Sequence, residues 1–144
     1  MKQQNFKNHT QLVPIYHGVA LLLVLTILVG AFINLCNAFN KNADVFNALL
    51  ICGIAIALGF ILWFSRKFAL KAQDRAIRVE ESFRYFLLTH ERMDSRLRLG
   101  QIIALRFAGD DEFVALAKRA IEEKLTARQI KMEIRNWRGD YYRV

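Results

Sequence analysis

The sequence predicts an all-α membrane protein: a two-helix transmembrane hairpin whose second span continues into a cytoplasmic stalk helix, followed by a small helical hairpin. Three observations lead there. Residues 1–64 hold three lysines and one aspartate, whereas residues 65–144 hold 18 Lys and Arg against 12 Asp and Glu. Two runs carry no charge at all, one between Lys7 and Lys41 and one between Asp44 and Arg66. After Phe64 neither Gly nor Pro occurs until Gly100, so the second helix meets no breaker. The averages, 54% hydrophobic with a net charge of +8 over 144 residues, therefore describe two different materials. They exclude intrinsic disorder, which needs low hydrophobicity, and two cysteines are too few for a disulfide scaffold. The chain is also too short for a large multi-layer α/β enzyme.

Taken in order, residues 1–15 form a cytoplasmic N-terminal segment and 16–35 the first span. Residues 36–44 form a short external loop and 45–64 the second span. An uncharged run of about 20 residues rises roughly 30 Å as a helix, the thickness of a bilayer's hydrocarbon core. Backbone groups in hydrocarbon must bond within their own segment, which makes both spans helical. A soluble helix pair is the alternative, but the remaining chain offers too little apolar surface to cover two helices that are hydrophobic all round. The first run is longer than the roughly 7–15 apolar residues of a cleaved signal, and Leu35 before Cys36 is not the small residue of a lipoprotein site.

Lys2 and Lys7 precede the first span, while Arg66, Lys67, Lys71, Arg75 and Arg78 follow the second. Between them the loop holds only Lys41 and Asp44. The positive-inside rule then puts both ends in the cytoplasm. The five basic residues after span two also form a candidate membrane-surface cluster for anionic headgroups. In the second span Ala48, Cys52, Ala55 and Gly59 recur at four, three and four, a face of small residues where helix backbones approach closely. Thr26 and Gly30 offer a matching surface on span one, and another copy of the chain is the other candidate. No ionisable side chain lies within the hydrocarbon zone, which argues against a transport pathway.

Residues 65–94 are read as the stalk helix. Ala69, Ala72, Ala76, Val79, Phe83 and Phe86 recur at three and four, a heptad-like stripe that either packs on the helices that follow or pairs with another chain. Residues 95–144 are the helical module. Gln101–Ala108 form a short helix closed by Gly109. Asp110 and Asp111 offer N-caps for a helix to about Leu125, and Thr126–Gln129 is a capping box. Beyond it Ile130, Ile134, Trp137 and Tyr141 recur at four, three and four, the core face of a last helix.

No catalytic constellation emerges. His9, His17 and His90 lie in separate regions without ligand spacing. Asp110-Asp111-Glu112 has the composition of a metal cluster, but at a helix start it reads as dipole compensation. Cys36 and Cys52 lie toward the outer half of the spans, where a bridge is conceivable. The Asn8-His9-Thr10 sequon faces the cytosol and is discounted. No phosphate loop or dinucleotide fingerprint is present, so no cofactor is expected. Arg128, Lys131, Arg135, Arg138 and Arg143 with Trp137, Tyr141 and Tyr142 raise nucleic-acid binding. They alternate with acids, however, and match no recognition motif.

Gln4–Thr10, Phe68–Arg78, Gln101–Ala108, Glu112–Ala117 and the ending Ile-Lys-x-x-Ile-x-x-Trp-Arg-x-Asp at Ile130–Asp140 together resemble an uncharacterised family of small bacterial membrane proteins with two transmembrane helices, a domain of unknown function. The resemblance implies no activity, cofactor or catalytic residue. It does single out Lys71–Arg75 and Leu105–Phe107, whose structural role would be a buried salt-bridged junction. The expectation is a non-enzymatic anchor or accessory subunit of the bacterial inner membrane whose cytoplasmic helices bind a protein partner or a second copy. The alternatives are a small oligomeric channel and a tethered binder of nucleic acid or anionic lipid.

Overall fold

The computed structural model describes residues 4–6, 8–9, 13–41 and 43–141. Lys2, Lys7, Thr10, Tyr142 and Arg143, named above, lie outside them. Among the described residues the chain is all-helical, with five α-helices and one isolated antiparallel bridge, Ala108 to Trp137. It divides into two units, Leu12–Ala69 and a module of Met1–Gln11 with Leu70–Val144.

In the first unit a π-helical stretch, Ile15–Ala20, runs into α1, Leu21–Asn40. The second helix, α2, spans Val45–Thr89 and contributes to both units. The first helix outlasts its expected end at Leu35: Cys36–Asn40 are helical because Ala38 is drawn into the pair and nothing in the stretch breaks a helix. Asp44 then caps α2, its carboxylate accepting from the Asn47 amide at 3.1 Å. Buried Ala31 and Ala38 on α1 and Ala48 and Ala55 on α2 each lie seven residues apart. Seven-residue spacing keeps one seam facing its neighbour in nearly antiparallel packing. Most other side chains of the pair are exposed.

In the module α2 is joined by α3, Leu99–Leu105, α4, Asp110–Glu122, and α5, Ala127–Glu133. The long helix ends at Thr89 rather than at residue 94, because His90 turns left-handed at φ 58. Phe107, Phe113, Leu105 and Ile130 fill the core. Buried Gln101 ties three elements together. Its oxygen accepts from the Arg98 amide at 2.8 Å, and its nitrogen donates to the Ala120 and Leu125 carbonyls at 2.9 Å each. The expected cap of α4 shifts by one: Gly109 is the N-cap, and Asp110, Asp111 and Glu112 form the first turn. A Cβ at Gly109 would stand 3.0 Å from the Asn136 amide nitrogen and would strike the Asp111 carboxylate. The capping box at Thr126 and Gln129 is present.

The last helix differs from the sequence reading. It stops at Glu133, and Ile134 is extended. The Gly109 amide donates to the Asn136 carbonyl and the Arg138 amide to the Phe107 carbonyl, both at 2.8 Å, which straightens the chain. Ile130 and Ile134 are buried and Trp137 packs its ring 5.2 Å from Phe107, but Tyr141 is exposed. Ile130, Ile134 and Trp137 thus reach the core without sharing one helical face.

One loop carries a pH signature. Asp94 accepts from the Arg96 amide at 2.8 Å and pairs with the Arg96 guanidinium at 2.6 Å. That hydrogen bonding holds its carboxyl below the ordinary value of 3.8. A carboxyl depressed in the folded state stabilises above its unfolded value, and the gain disappears as pH falls through the folded one. Between about pH 5 and pH 2 the native chain should therefore lose more stability than Asp94→Asn. Acid titrations of the two that superimpose would refute the assignment.

Candidate interaction surfaces

The small-residue face of α2 is turned toward α1. Ala48 and Ala55 are buried, and the Cys52 thiol donates to the Ala31 carbonyl at 3.3 Å. A Cβ at Gly59 would stand 3.9 Å from Val24. The opposing surface is Val24, Ala31 and Ala38, not Thr26 and Gly30. Thr26 is exposed and donates its hydroxyl to Leu22 O at 2.9 Å, and nothing lies near Gly30. Thr26 and Gly30 fall outside the seven-residue seam that the alanines set. Cys36 and Cys52 are unbridged. At the open end of the pair the Tyr16 hydroxyl donates to the Leu62 carbonyl, and the Arg66 guanidinium sits 5.7 Å from the Tyr16 ring centre. Phe60, Phe64 and Phe68 stack at i, i+4 along α2.

Of the basic cluster, Arg66 is half-buried by that contact, while Lys67, Lys71, Arg75 and Arg78 are exposed. The apolar stripe is also exposed: Ala69 is half-buried, Ala72 and Ala76 are open, and Val79 and Phe83 are 69% and 61% exposed, with Phe86 also on the surface. The face of α2 that the module buries carries Ile77, Glu81, Arg84 and Tyr85 instead. The stripe does not pack on the helices that follow.

Sequence reasoning missed that inward-facing ion pair. Arg84 donates to Glu81 at 3.0 Å, to Asp110 at 2.7 Å and to the Ala108 carbonyl at 2.7 Å. Its guanidinium lies 4.2 Å from the centre of the Phe113 ring. One side chain thereby joins α2, the α3–α4 turn and the start of α4. The junction anticipated at Lys71–Arg75 is made here, a turn and more along the helix. Leu105–Phe107 does contribute: Arg106 is buried and pairs with Asp140 at 3.2 Å. The acidic triplet separates into three roles. Asp110 meets Arg84, Asp111 accepts from the Asn136 side chain at 3.4 Å, and Glu112 accepts from the amides of Arg135 and Asn136.

The N-terminal segment belongs to the module. Gln4 donates to the Asp140 carbonyl at 3.0 Å and accepts from the Asp140 amide at 2.9 Å. The His9 ring stands 5.7 Å from Phe107 and 5.9 Å from Trp137, with its Nε2 3.1 Å from Lys131 Nζ. Lys131, one of the basic tail residues, therefore lies against aromatic core. Arg138 approaches Glu81 at 4.0 Å.

An open cleft of about 610 Å³ lies between α4 and the end of α5, lined by Asp111, Glu112, Leu116, Arg119, Glu133 and Arg135. Within it Arg119 bridges Glu133 at 2.9 Å and, beyond the lining, Glu123 at 2.8 Å. That pairing lowers the Glu123 carboxyl and raises the Arg119 guanidinium. Among the described residues no three His, Cys, Asp or Glu side chains gather as a metal site.

No curated protein and no solved structure matches the chain. A family model does, over residues 1–144, and the chain belongs to that family, DUF6526, a family of unknown function.

Proposed function

We propose that this chain is a bacterial inner-membrane protein with two spans and both ends in the cytoplasm, a non-enzymatic anchor or accessory subunit whose helical module binds a protein partner. The carrying observation is the contrast between the units. The most apolar windows of Ile15–Asn40 and Val45–Thr89 have mean hydropathies of 2.7 and 2.6, yet only 6% and 11% of them is buried. A core helix of a soluble protein is mostly buried; side chains this apolar and this exposed suit a hydrocarbon surround. The module, by contrast, closes a core of its own.

The topology is supported by Gln4 and His9. Residues ahead of the first span pack with residues far beyond the second, which supports placing both on one side of a membrane. The small-residue face, which a channel would use between copies, is occupied by α1, so the channel reading keeps only the stalk stripe as support.

With Cys52→Ala, Cys36 is the sole thiol. The chain should stay in membranes through alkaline carbonate, and a membrane-impermeant maleimide should label Cys36 in intact spheroplasts. In a Cys36→Ser/Cys52→Ala/Ser95→Cys chain, labelling should need lysis. Labelling at position 95 from outside would overturn the topology. The accessory role predicts a stoichiometric partner retained after cross-linking in native membranes and gentle extraction; repeated recovery of the chain alone would sink it.

A further inference from the structure

The geometry points to a parallel pairing of α2 with α2 of a second copy of this chain, along Ala72, Ala76, Val79, Phe83 and Phe86. The inference rests on the membrane reading above. These residues are exposed on a helix whose other face, at Ile77, Glu81, Arg84 and Tyr85, is already buried. The module core is thus complete without them. Their spacing of four, three, four and three is that of alternating core positions in a two-stranded coil.

That register also fixes the flanks. Arg75 directly precedes the core position at Ala76, and Glu80 directly follows the one at Val79; both are exposed. In a parallel pair, a residue preceding one core position faces the residue five places on in the partner. Arg75 of each copy then meets Glu80 of the other, giving two opposite-charge contacts from one symmetric register. An antiparallel pair sets like flanking positions together and loses both. Insertion supplies the same orientation independently, because two copies with one topology leave the membrane in the same direction. Confinement to a bilayer also raises the effective concentration, so a contact of under three heptads suffices.

The other apolar material at hand is the lipid surface, attractive because Lys71, Arg75 and Arg78 lie nearby. Exposed Glu80 flanks the same stripe, however, and its charge disfavours an anionic surface.

The test uses the full chain, with Cys36→Ser and Cys52→Ala, in lipid vesicles under mild oxidation. Val79→Cys should give mostly disulfide-linked dimer, and Arg78→Cys, exposed but off the stripe, at least fivefold less. Adding Arg75→Glu to Val79→Cys should cut the yield at least threefold, and Arg75→Glu with Glu80→Arg should restore it. Equal yields at 78 and 79, or an embedded chain that does not cross-link at 79, would overturn the pairing. So would quenching by brominated lipid of a fluorophore at Phe83→Cys, which would place the stripe on lipid. Release of the chain by alkaline carbonate would sink the membrane reading and the pairing with it, a result distinct from an embedded monomer.

Discussion

Replacing Phe107 by alanine is expected to cost the module about 3–5 kcal/mol. The ring is fully buried, and four side chains converge on it. Trp137 lies 5.2 Å away and His9 5.7 Å away, centre to centre. The Arg106 guanidinium stands 4.7 Å from its centre and the Lys131 ammonium 5.4 Å. Truncation removes the transfer free energy of a large aromatic, and it leaves a cavity that two helices and an extended segment cannot close together. Met132→Ala provides the contrast, since a side chain 53% exposed should cost less than about 0.5 kcal/mol. Denaturant-dependent hydrogen exchange at the amides of α3 and α4, measured on the full chain in detergent, reads both. A loss under about 1 kcal/mol for Phe107→Ala would mean that the residue is not central to the core.

Arg84→Met should be comparably severe, at about 3–5 kcal/mol, for a different reason. Glu81 is 5% exposed and would lose its closest cation, and the Ala108 carbonyl would lose its donor. Arg138, at 4.0 Å, is too distant to replace it. The double variant Glu81→Met/Arg84→Met should recover a large part of the loss, because apolar side chains of similar volume tolerate that position well. A double-mutant cycle on the same exchange measurement gives the coupling. Simple additivity of Glu81→Met and Arg84→Met would show that the two charges do not depend on each other.

These two sites also mark where the sequence stopped being legible. The apolar helices were readable because charge is excluded from long continuous runs, a property of composition that needs no knowledge of packing. The Thr126–Gln129 box and the acidic first turn of α4 were readable because a cap acts within four residues. The stripe at Val79, Phe83 and Phe86 was correctly spaced, yet spacing does not say which way a face turns. In α2 Val79, Phe83 and Phe86 face outward while a Glu–Arg pair faces in beside Ile77 and Tyr85, against the usual amphipathic order. Ala31 and Ala38 were passed over for Thr26 and Gly30 for a similar reason, since several small residues on α1 compete and only the register against Ala48 and Ala55 decides. Trp137 was assigned to a helix because its spacing from Ile130 and Ile134 is helical. The bridge to Ala108 that straightens the chain there lies 29 residues back.

The contact between Gln4 and Asp140 joins residues 136 positions apart. At synthesis rates of about 5–20 residues per second, roughly 7–27 s separate the emergence of the two. Gln4 and His9 are made well before the residues that hold them, Asp140, Trp137 and Lys131. The core around Phe107 therefore stays open on the His9 side while both apolar helices are being made. The last contacts of this half of the protein thus form only after both apolar helices have been made, which makes its closure a late event in synthesis.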